Sequence, residues 1–217
     1  MKKILLFLFL ISATRIYAQV DNNESFKDLL PKGYVITETI KGDINNNGLD
    51  DYLLIVKNTD QNNIFKNEDG NRIDRNRQGI IVVLNNKGTY VPIVKNYSCF
   101  SSENKDGGVY YSPEMSVSVE EGKLFIHFAH GRYGYSTYAF KLRGLDFQLI
   151  SYDESNSNGP TISSEVSINF LTKKKLTKEN LSEDPEKEAF KENWTKLKKR
   201  KLIKLSTIED FDTLDFS

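Results

Sequence analysis

A short segment near the start of the chain, residues 43–51, repeats oxygen-bearing side chains at alternate positions. Asp or Asn stands at its first, third, fifth and ninth positions, and glycine stands at its sixth. Calcium takes six to eight oxygen ligands, and one tight loop can supply them from alternate side chains. Gly48 permits the sharp bend, after which the carbonyl of Leu49 can turn inward. The spacing therefore predicts a Ca²⁺ site formed by the side chains of Asp43, Asn45, Asn47 and Asp51 and by the carbonyl of Leu49.

The same segment also fits a hairpin turn without an ion, because Asn47-Gly48 is a strong turn signal. If calcium binds, we expect weak affinity, on the order of 10⁻⁴–10⁻³ M, which suits a site outside the cytosol. The reason is that only Asp43 and Asp51 are anionic among the predicted ligands. The ligand set leaves no place for a substrate, so the predicted role of the ion is structural. It would tie a strand beginning at Tyr34 to a strand beginning at Tyr52.

The pattern Asp-x-Asn-x-Asn-Gly-x-x-Asp, followed by an aliphatic strand, resembles the calcium loop of FG-GAP and VCBS-type repeats. The resemblance covers residues 40–57 only. Members of that family form multi-bladed propellers, but a propeller needs about four or more blades. One such loop in this chain therefore does not predict a propeller. The whole chain also resembles small exported β proteins common in Bacteroidota, a likeness that implies no activity. In the repeat family the ion is held by the positions that correspond here to Asp43, Asn45, Asn47, Asp51 and the carbonyl of Leu49.

Other residues that could carry chemistry give weaker signals. His127 and His130 are the only histidines, and residues three apart on a strand point to opposite faces, so they are poorly placed to share a metal. Cys99 is the only cysteine, which excludes an internal disulfide, and no nucleophile motif surrounds it. No serine-hydrolase, zinc-protease or phosphate-loop motif is present. A hydrolase with an unrecognised site is therefore the minority hypothesis.

Four tyrosines lie in or beside glycine-containing segments. Loops carry a large share of binding residues, and an aromatic ring with a polar tip makes a good contact group. These tyrosines could bind a protein or a glycan of the cell envelope, or they could cover the ends of a β core. An inhibitor or immunity-type protein of the envelope is a further alternative. The residues concerned are Tyr110, Tyr111, Tyr133 and Tyr135.

The N-terminus has the pattern of a secretory signal peptide. A basic start precedes an apolar run from Ile4 to Ile11, and Ala18 suits the cleavage site. The run is far shorter than the roughly 20 residues that span a bilayer, so we predict cleavage of residues 1–18 and a periplasmic or secreted protein without a membrane span. Cleavage removes three basic residues and no acid, which changes the net charge from 0 to −3. That balance argues against nucleic acid as a partner.

Hydrophobic periodicity predicts a mainly β chain. The spacing of apolar residues favours a short helix over Asp21–Leu30. Beyond it, period-two patterns and two runs that are apolar on both faces predict strands joined by short turns, and such strands pair antiparallel. The polar stretch Asn58–Arg77 and the stretch Ser98–Pro113 are predicted to be loops. The predicted strands are Tyr34–Lys41, Tyr52–Val56, Ile80–Leu84, Tyr90–Tyr97, Met115–Val119, Leu124–Ala129, Tyr135–Leu142, Leu145–Tyr152 and Ile162–Leu171.

These patterns predict one β domain over residues 19–172, an antiparallel meander that forms a sandwich, a partly open barrel or a strongly twisted sheet. Residues 173–217 form a charged C-terminal segment expected to pack on the same domain. Lys173–Lys204 could meet anionic envelope polymers, but its interleaved acids are typical of a solvated face. Pro185–Lys201 fits a helix or edge strands equally well. In the strand alternative the inward residues would be Trp194, Leu197, Leu202 and Ile203.

Overall fold

The computed structural model describes residues 26–102, 113–182, 184 and 187–216. Short 3-10 turns occur at Lys27–Leu29, Gln61–Asn63, Gly131–Tyr133, Leu205–Thr207 and Phe211–Thr213. Among the described residues no helix is long and apolar enough to cross a membrane. The strands are β1 (Tyr34–Gly42), β2 (Asp51–Asn58), β3 (Ile64–Lys66), β4 (Arg72–Asp74), β5 (Gln78–Asn86), β6 (Thr89–Phe100), β7 (Glu114–Glu120), β8 (Lys123–Ala129), β9 (Gly134–Arg143), β10 (Asp146–Asn158), β11 (Thr161–Asn169), β12 (Lys174–Asn180) and β13 (Phe190–Lys196).

The first sheet has four antiparallel strands in the order β1-β2-β5-β6. Its central strands, β2 and β5, are buried on both faces, as their doubly apolar sequences predict. Leu53 and Val82 point into the main core, whereas Leu54 and Val83 belong to a second cluster that Phe26 covers from outside. The N-terminal segment therefore seals the face of this sheet that lies away from the main core.

The second sheet has seven strands, β7 to β13, each antiparallel to the next along the chain. The predicted meander over residues 115–171 is confirmed as β7 to β11. Residues that the sequence marks as apolar, such as Leu124, Phe140 and Ile168, line one face and join the main core. Short turns at residues 121–122 and 144–145 allow each strand to reverse onto its neighbour.

The two sheets pack face to face around the main core. Leu53 of the first sheet and Phe140 of the second lie in the same buried cluster, and burial of such a shared apolar surface is the main stabilising term of a two-layer fold. Of the predicted alternatives, this is the sandwich. The fold is mainly β and antiparallel as predicted, and it is not a complete propeller.

The C-terminal tail, residues 197–216, completes the core between the sheets. Phe211 and Phe216 are buried in it, together with Leu205 and Ile208. The tail is held by polar contacts as well: the Asn96 amide donates to the carbonyls of Leu205 and Ile208 at 2.8 and 2.7 Å. The tail thus contributes core side chains to the sandwich.

The prediction of a long loop between β2 and β5 needs correction. Asn58–Arg77 is not a loop throughout, because it contains the 3-10 turn at Gln61–Asn63 and the β3–β4 hairpin. Polar side chains of this segment form hydrogen bonds within the segment itself. The buried Asn76 amide donates to the Asp60 carbonyl and to the Asp74 carboxylate, at 3.0 and 2.9 Å. Because these bonds are local and polar, hydrophobic periodicity cannot reveal them.

The C-terminal segment follows the strand alternative and not the helix, since β12 and β13 extend the second sheet. Leu197, Leu202 and Ile203 pack on the core as expected. Trp194 was expected to point inward, but it is largely exposed on the edge strand. Of the predicted helix over Asp21–Leu30, the described part is a single 3-10 turn, and the remainder lies outside the described residues.

Cys99 lies in the main core and is fully buried. Burial raises the pKa of its thiol to about 12, because a thiolate loses its hydration there. The thiol is therefore protonated at neutral pH and is not a nucleophile in the folded protein. Its side chain fills volume in the main core.

Candidate metal centre

The predicted calcium loop connects β1 to β2 at one end of the first sheet. Ile44 is buried in the main core and anchors the loop from below. The backbone reverses through two left-handed residues, Asn46 (φ 58°) and Gly48 (φ 80°). Asparagine and glycine are the residues that adopt this conformation at least cost. The polar side chains of the loop are thereby wrapped around a short, tightly bent backbone.

Three of the predicted ligands are brought together at the tip of the loop. The Asn47 N–H donates both to Asp43 Oδ1 at 2.9 Å and to Asn45 Oδ1 at 3.1 Å, so these two oxygens lie side by side. Asp43 Oδ2 accepts from the Gly48 N–H at 2.8 Å. Asn47 turns its own Oδ1 to the Leu49 N–H, also at 2.8 Å. The alternating oxygens therefore face a common set of backbone donors inside the bend.

Asp51 closes the loop at the first position of β2. Its carboxylate is 0 % exposed. Oδ2 accepts from the Ile44 N–H at 2.9 Å, and Oδ1 accepts from the Asn85 N–H at 2.7 Å. Within the described residues the carboxylate makes no ion pair. A buried negative charge with only neutral donors around it is costly unless a cation lies nearby.

Asn85, the penultimate residue of β5, also contacts the loop, although the sequence gives no signal that connects the two. It connects to the calcium loop in three ways. Its N–H donates to Asp51, its Nδ2 donates to the Asp50 carbonyl at 3.2 Å, and its carbonyl accepts from Asn47 Nδ2 at 3.2 Å. It lies 34 residues beyond Asp51, and no periodic pattern connects the two, so only the β2–β5 pairing brings them together.

The loop also lies against the second sheet. The side chain of Asn46 rests on Gly122, in the turn between β7 and β8, where a Cβ atom would stand 2.5 Å from Asn46 Nδ2. Only glycine leaves room for this approach. Lys41 and Asp50 form an ion pair at 3.6 Å on the solvent side, a contact of small energetic value. The loop thus contacts both the end of β5 and the turn between β7 and β8.

The residues present fit a calcium ion in the chemistry of their donors. An ionised carboxylate oxygen can accept more than one contact, so the single N–H bonds to each oxygen of Asp43 and Asp51 leave lone pairs for a cation. Within the described ranges no group of three or more His, Cys, Asp or Glu side chains is placed to hold a metal. The predicted ligand side chains are two acids and two amides, a hard oxygen set that suits calcium and not zinc.

The other candidate functional residues that the structure describes, two histidines and two tyrosines, lie on or beside the second sheet. His127 Nδ1 lies 2.8 Å from Thr137 Oγ1 on the second sheet, whereas His130 is an exposed residue after β8. Tyr133 and Tyr135 are both exposed, and the Tyr135 ring lies 5.5 Å from the His127 ring in a tilted arrangement. Tyr110 and Tyr111 lie outside the described residues.

No family model, curated protein or solved structure matches the chain. The likeness of residues 40–57 to FG-GAP and VCBS-type calcium loops therefore remains a prediction from the sequence.

Proposed function

We propose that this chain is an exported β module that is stabilised by calcium at residues 43–51 and acts by binding and not by catalysis. The ion would lie against the side chains of Asp43, Asn45, Asn47 and Asp51 and the carbonyl of Leu49. The observation that carries this proposal is the environment of Asp51, a fully buried carboxylate whose partners are two neutral N–H groups.

A divalent cation in the loop would compensate the charge of Asp51 and that of Asp43. The effect would extend beyond the loop, since Asp51 also accepts from Asn85 at the end of β5 and the loop rests on the β7–β8 turn at Gly122. Calcium would therefore stabilise the junction between the two sheets. The predicted export signal supports this role, because weak calcium sites suit extracellular concentrations.

A groove on the surface supports the binding role. The described residues include an open groove of about 250 Å³ on the second sheet, lined in part by Tyr135, Asp153 and Glu165. An open groove with exposed aromatic residues beside it suits a ligand that lies along a surface. The proposed partner is a protein or a glycan of the envelope.

Calcium should raise the melting temperature of the wild-type protein and should have little effect on Asp43→Ala. At a calcium concentration ten times the Kd, one site adds about 1.4 kcal/mol, which corresponds to roughly 3–6 °C for a chain of this size. The variant also loses the hydrogen bonds to Asn47 and Gly48 in both conditions. The diagnostic quantity is therefore the difference between calcium and excess chelator, measured by thermal unfolding.

Asp50→Ala is the matched control, because Asp50 is an exposed acid in the same loop and is not a predicted ligand. It should keep the full calcium increment. The proposal is wrong if Asp43→Ala lowers the melting temperature equally in calcium and in chelator, or if the wild type gains nothing from calcium.

A further inference from the structure

The strand β13 is a free edge of the second sheet. It pairs with β12 on one side, and within the described residues no strand pairs with it on the other. Every residue from Lys191 to Lys196 is exposed. A free edge presents a row of N–H and C=O groups that can pair with a strand of another molecule. The backbone of β13 is therefore open to a further strand.

The other three outermost strands of the two large sheets have neighbours within the fold. The C-terminal tail lies against β6, where the Asn96 amide donates to the carbonyls of Leu205 and Ile208. Strands β1 and β7 meet at Gly42, where a Cβ atom would stand 2.7 Å from Val119 Cβ. The strand β13 is the most exposed of the four.

The hydrogen bonds between β12 and β13 show which backbone groups of β13 face the free edge. In an antiparallel pair, residues that bond to the neighbouring strand alternate with residues whose N–H and C=O point away from it. The Leu197 N–H donates to the Lys173 carbonyl at 2.9 Å. At the other end of the pair, the Leu181 N–H donates to the Ala189 carbonyl, also at 2.9 Å. The pairing between these bonds runs without a bulge, so the odd-numbered residues of β13 bond to β12. The residues whose backbone groups point to the free edge are Glu192, Trp194 and Lys196.

The side chains of these three residues project to the outer face of the second sheet. Residues that pair directly across neighbouring strands project to the same face. Trp194 pairs with Leu176, which pairs in turn with Ser167, whereas the next residue of β11, Ile168, points into the main core. Trp194 is 61 % exposed. The acidic and the basic residue of the set stand two positions before it and two positions after it.

Two rows of charged side chains run across the outer face to this edge. In one row Glu165, Lys178 and Glu192 alternate in sign, and the first two form an ion pair at 3.1 Å. This row ends at the edge in an acid. In the other row Lys174 and Lys196 stand directly opposite each other, and neither forms an ion pair with a described residue. Because like charges in this position repel, the second row ends in positive charge that lacks a counterion.

A second copy of the chain is complementary to both rows. When two β13 strands pair antiparallel with Trp194 opposite Trp194, Glu192 of each copy lies opposite Lys196 of the other. Each of these pairs joins residues whose backbone groups point to the free edge, so each can exchange N–H···O bonds in both directions. The acidic row of one copy then continues into the basic row of the other, and the two indoles cover each other between the rows. Opposite-charge pairs and aromatic pairs across strands both stabilise a sheet.

Other registers of the same two strands are less favourable. A two-fold axis at Glu192 would set two acids opposite each other, and an axis at Lys196 would set two lysines opposite each other. An axis at Asn193 or Thr195 would remove the pairing of Glu192 with Lys196. Charged residues on an edge strand generally discourage pairing. Here their symmetric placement about a central aromatic residue opposes the wrong registers and permits one.

We propose that β13 pairs with β13 of a second copy, antiparallel about a two-fold axis at Trp194, so that the second sheets of two molecules form one continuous sheet. The same residues contact each other from both sides, which is the usual form of a symmetric dimer. Because each copy contributes a single strand, the interface lies at the low end of the size range, below about 1,200 Å² in total. We expect a weak dimer, with a Kd on the order of 10⁻⁵–10⁻⁴ M.

Charge reversal at the edge tests the pairing by analytical ultracentrifugation of the mature protein. Glu192→Lys sets lysine against lysine at both ends of the interface, and Lys196→Glu sets acid against acid, so each variant alone should dimerise at least tenfold more weakly than the wild type. An equimolar mixture of the two variants should dimerise about as strongly as the wild type, because each end then joins opposite charges. Glu68→Lys, an exposed charge reversal in the β3–β4 hairpin, should leave the Kd unchanged. Circular dichroism checks that every variant is folded.

Two spectroscopic measurements locate the contact. Trp194 is the only tryptophan in the chain, so its emission should shift to shorter wavelength as the protein concentration rises. By amide hydrogen exchange, the N–H groups of Glu192, Trp194 and Lys196 should gain protection at concentrations where the dimer forms. Those of Asn193 and Thr195 should be protected at every concentration, because they bond to β12.

The inference is overturned if the wild type remains a monomer up to about 0.5 mM, well above the expected Kd. It is equally overturned if the mixture of charge variants dimerises no better than either variant alone, or if Glu68→Lys weakens the dimer as much as Glu192→Lys. A dimer that leaves the three edge amides unprotected would show that the copies meet through another surface.

Discussion

Replacing Phe211 with alanine should lower the free energy of unfolding by about 3–5 kcal/mol, the usual cost of deleting a buried aromatic ring. The ring is 2 % exposed. It stacks on Phe100 at 5.3 Å and meets Tyr138 edge-on at 4.9 Å, so its removal leaves a cavity between the sheets that rigid strands cannot close. Urea unfolding followed by circular dichroism measures the loss as a lower midpoint with an unchanged slope.

Glu209→Ala is the control for this prediction. Glu209 is an exposed residue two positions before Phe211, and its backbone carbonyl accepts a hydrogen bond from Arg77. The control should change the free energy of unfolding by less than about 0.5 kcal/mol. If Phe211→Ala costs no more than Glu209→Ala, the tail does not belong to the core, and the second sheet must be stable without it.

Replacing Asp51 with alanine should be nearly as damaging, for a different reason. The Ile44 and Asn85 N–H groups would each lose their acceptor, and a buried donor without a partner costs about 1–3 kcal/mol. We therefore expect a loss of about 2–6 kcal/mol in excess chelator. The difference from wild type should widen in calcium, because only the wild type gains from the ion.

The comparison variant is Asp50→Ala, the exposed neighbour of Asp51, which should lose less than about 0.5 kcal/mol. Chemical denaturation with and without calcium separates the two parts of the Asp51 effect. A large loss in chelator with no widening in calcium would mean that Asp51 only holds the two turns together. A variant as stable as Asp50→Ala would contradict both roles.

Most of the fold could be predicted because each strand is indicated by the apolar pattern of its own segment. The runs Tyr52–Val56 and Ile80–Leu84 are apolar on both faces, and they are the central strands of a sheet that is covered on both sides. The second sheet follows chain order, so short turns suffice to place each strand beside the next. Local periodicity and turn chemistry therefore carry this information in full.

What could not be predicted depends on contacts between distant residues. The packing of the tail against the core arises from Phe211 meeting Phe100, more than one hundred positions earlier. The β3–β4 hairpin forms in a segment without apolar alternation, because Asn76, Asp60 and Asp74 satisfy its backbone. Trp194 points outward although it is apolar, because burial patterns at a sheet edge do not follow residue type alone.

The candidate site could likewise be predicted only in part from the sequence. The alternating donors from Asp43 to Asp51 are visible in the sequence, because a single loop supplies all of them. The burial of Asp51 and its bond to Asn85 depend on the β2–β5 pairing, which brings the end of β5 beside the loop. The observation on which the calcium proposal depends most is therefore a contact that no local motif contains.

The most direct test of the calcium site is a crystal structure of the mature protein grown in millimolar calcium, with anomalous scattering used to identify the ion. The account predicts one calcium peak within about 2.3–2.6 Å of its oxygen ligands, and the residues supplying them are Asp43, Asn45, Asn47, Asp51 and, through its carbonyl, Leu49. A well-ordered loop with no anomalous peak, in which the two carboxylates contact only backbone N–H groups, would contradict it.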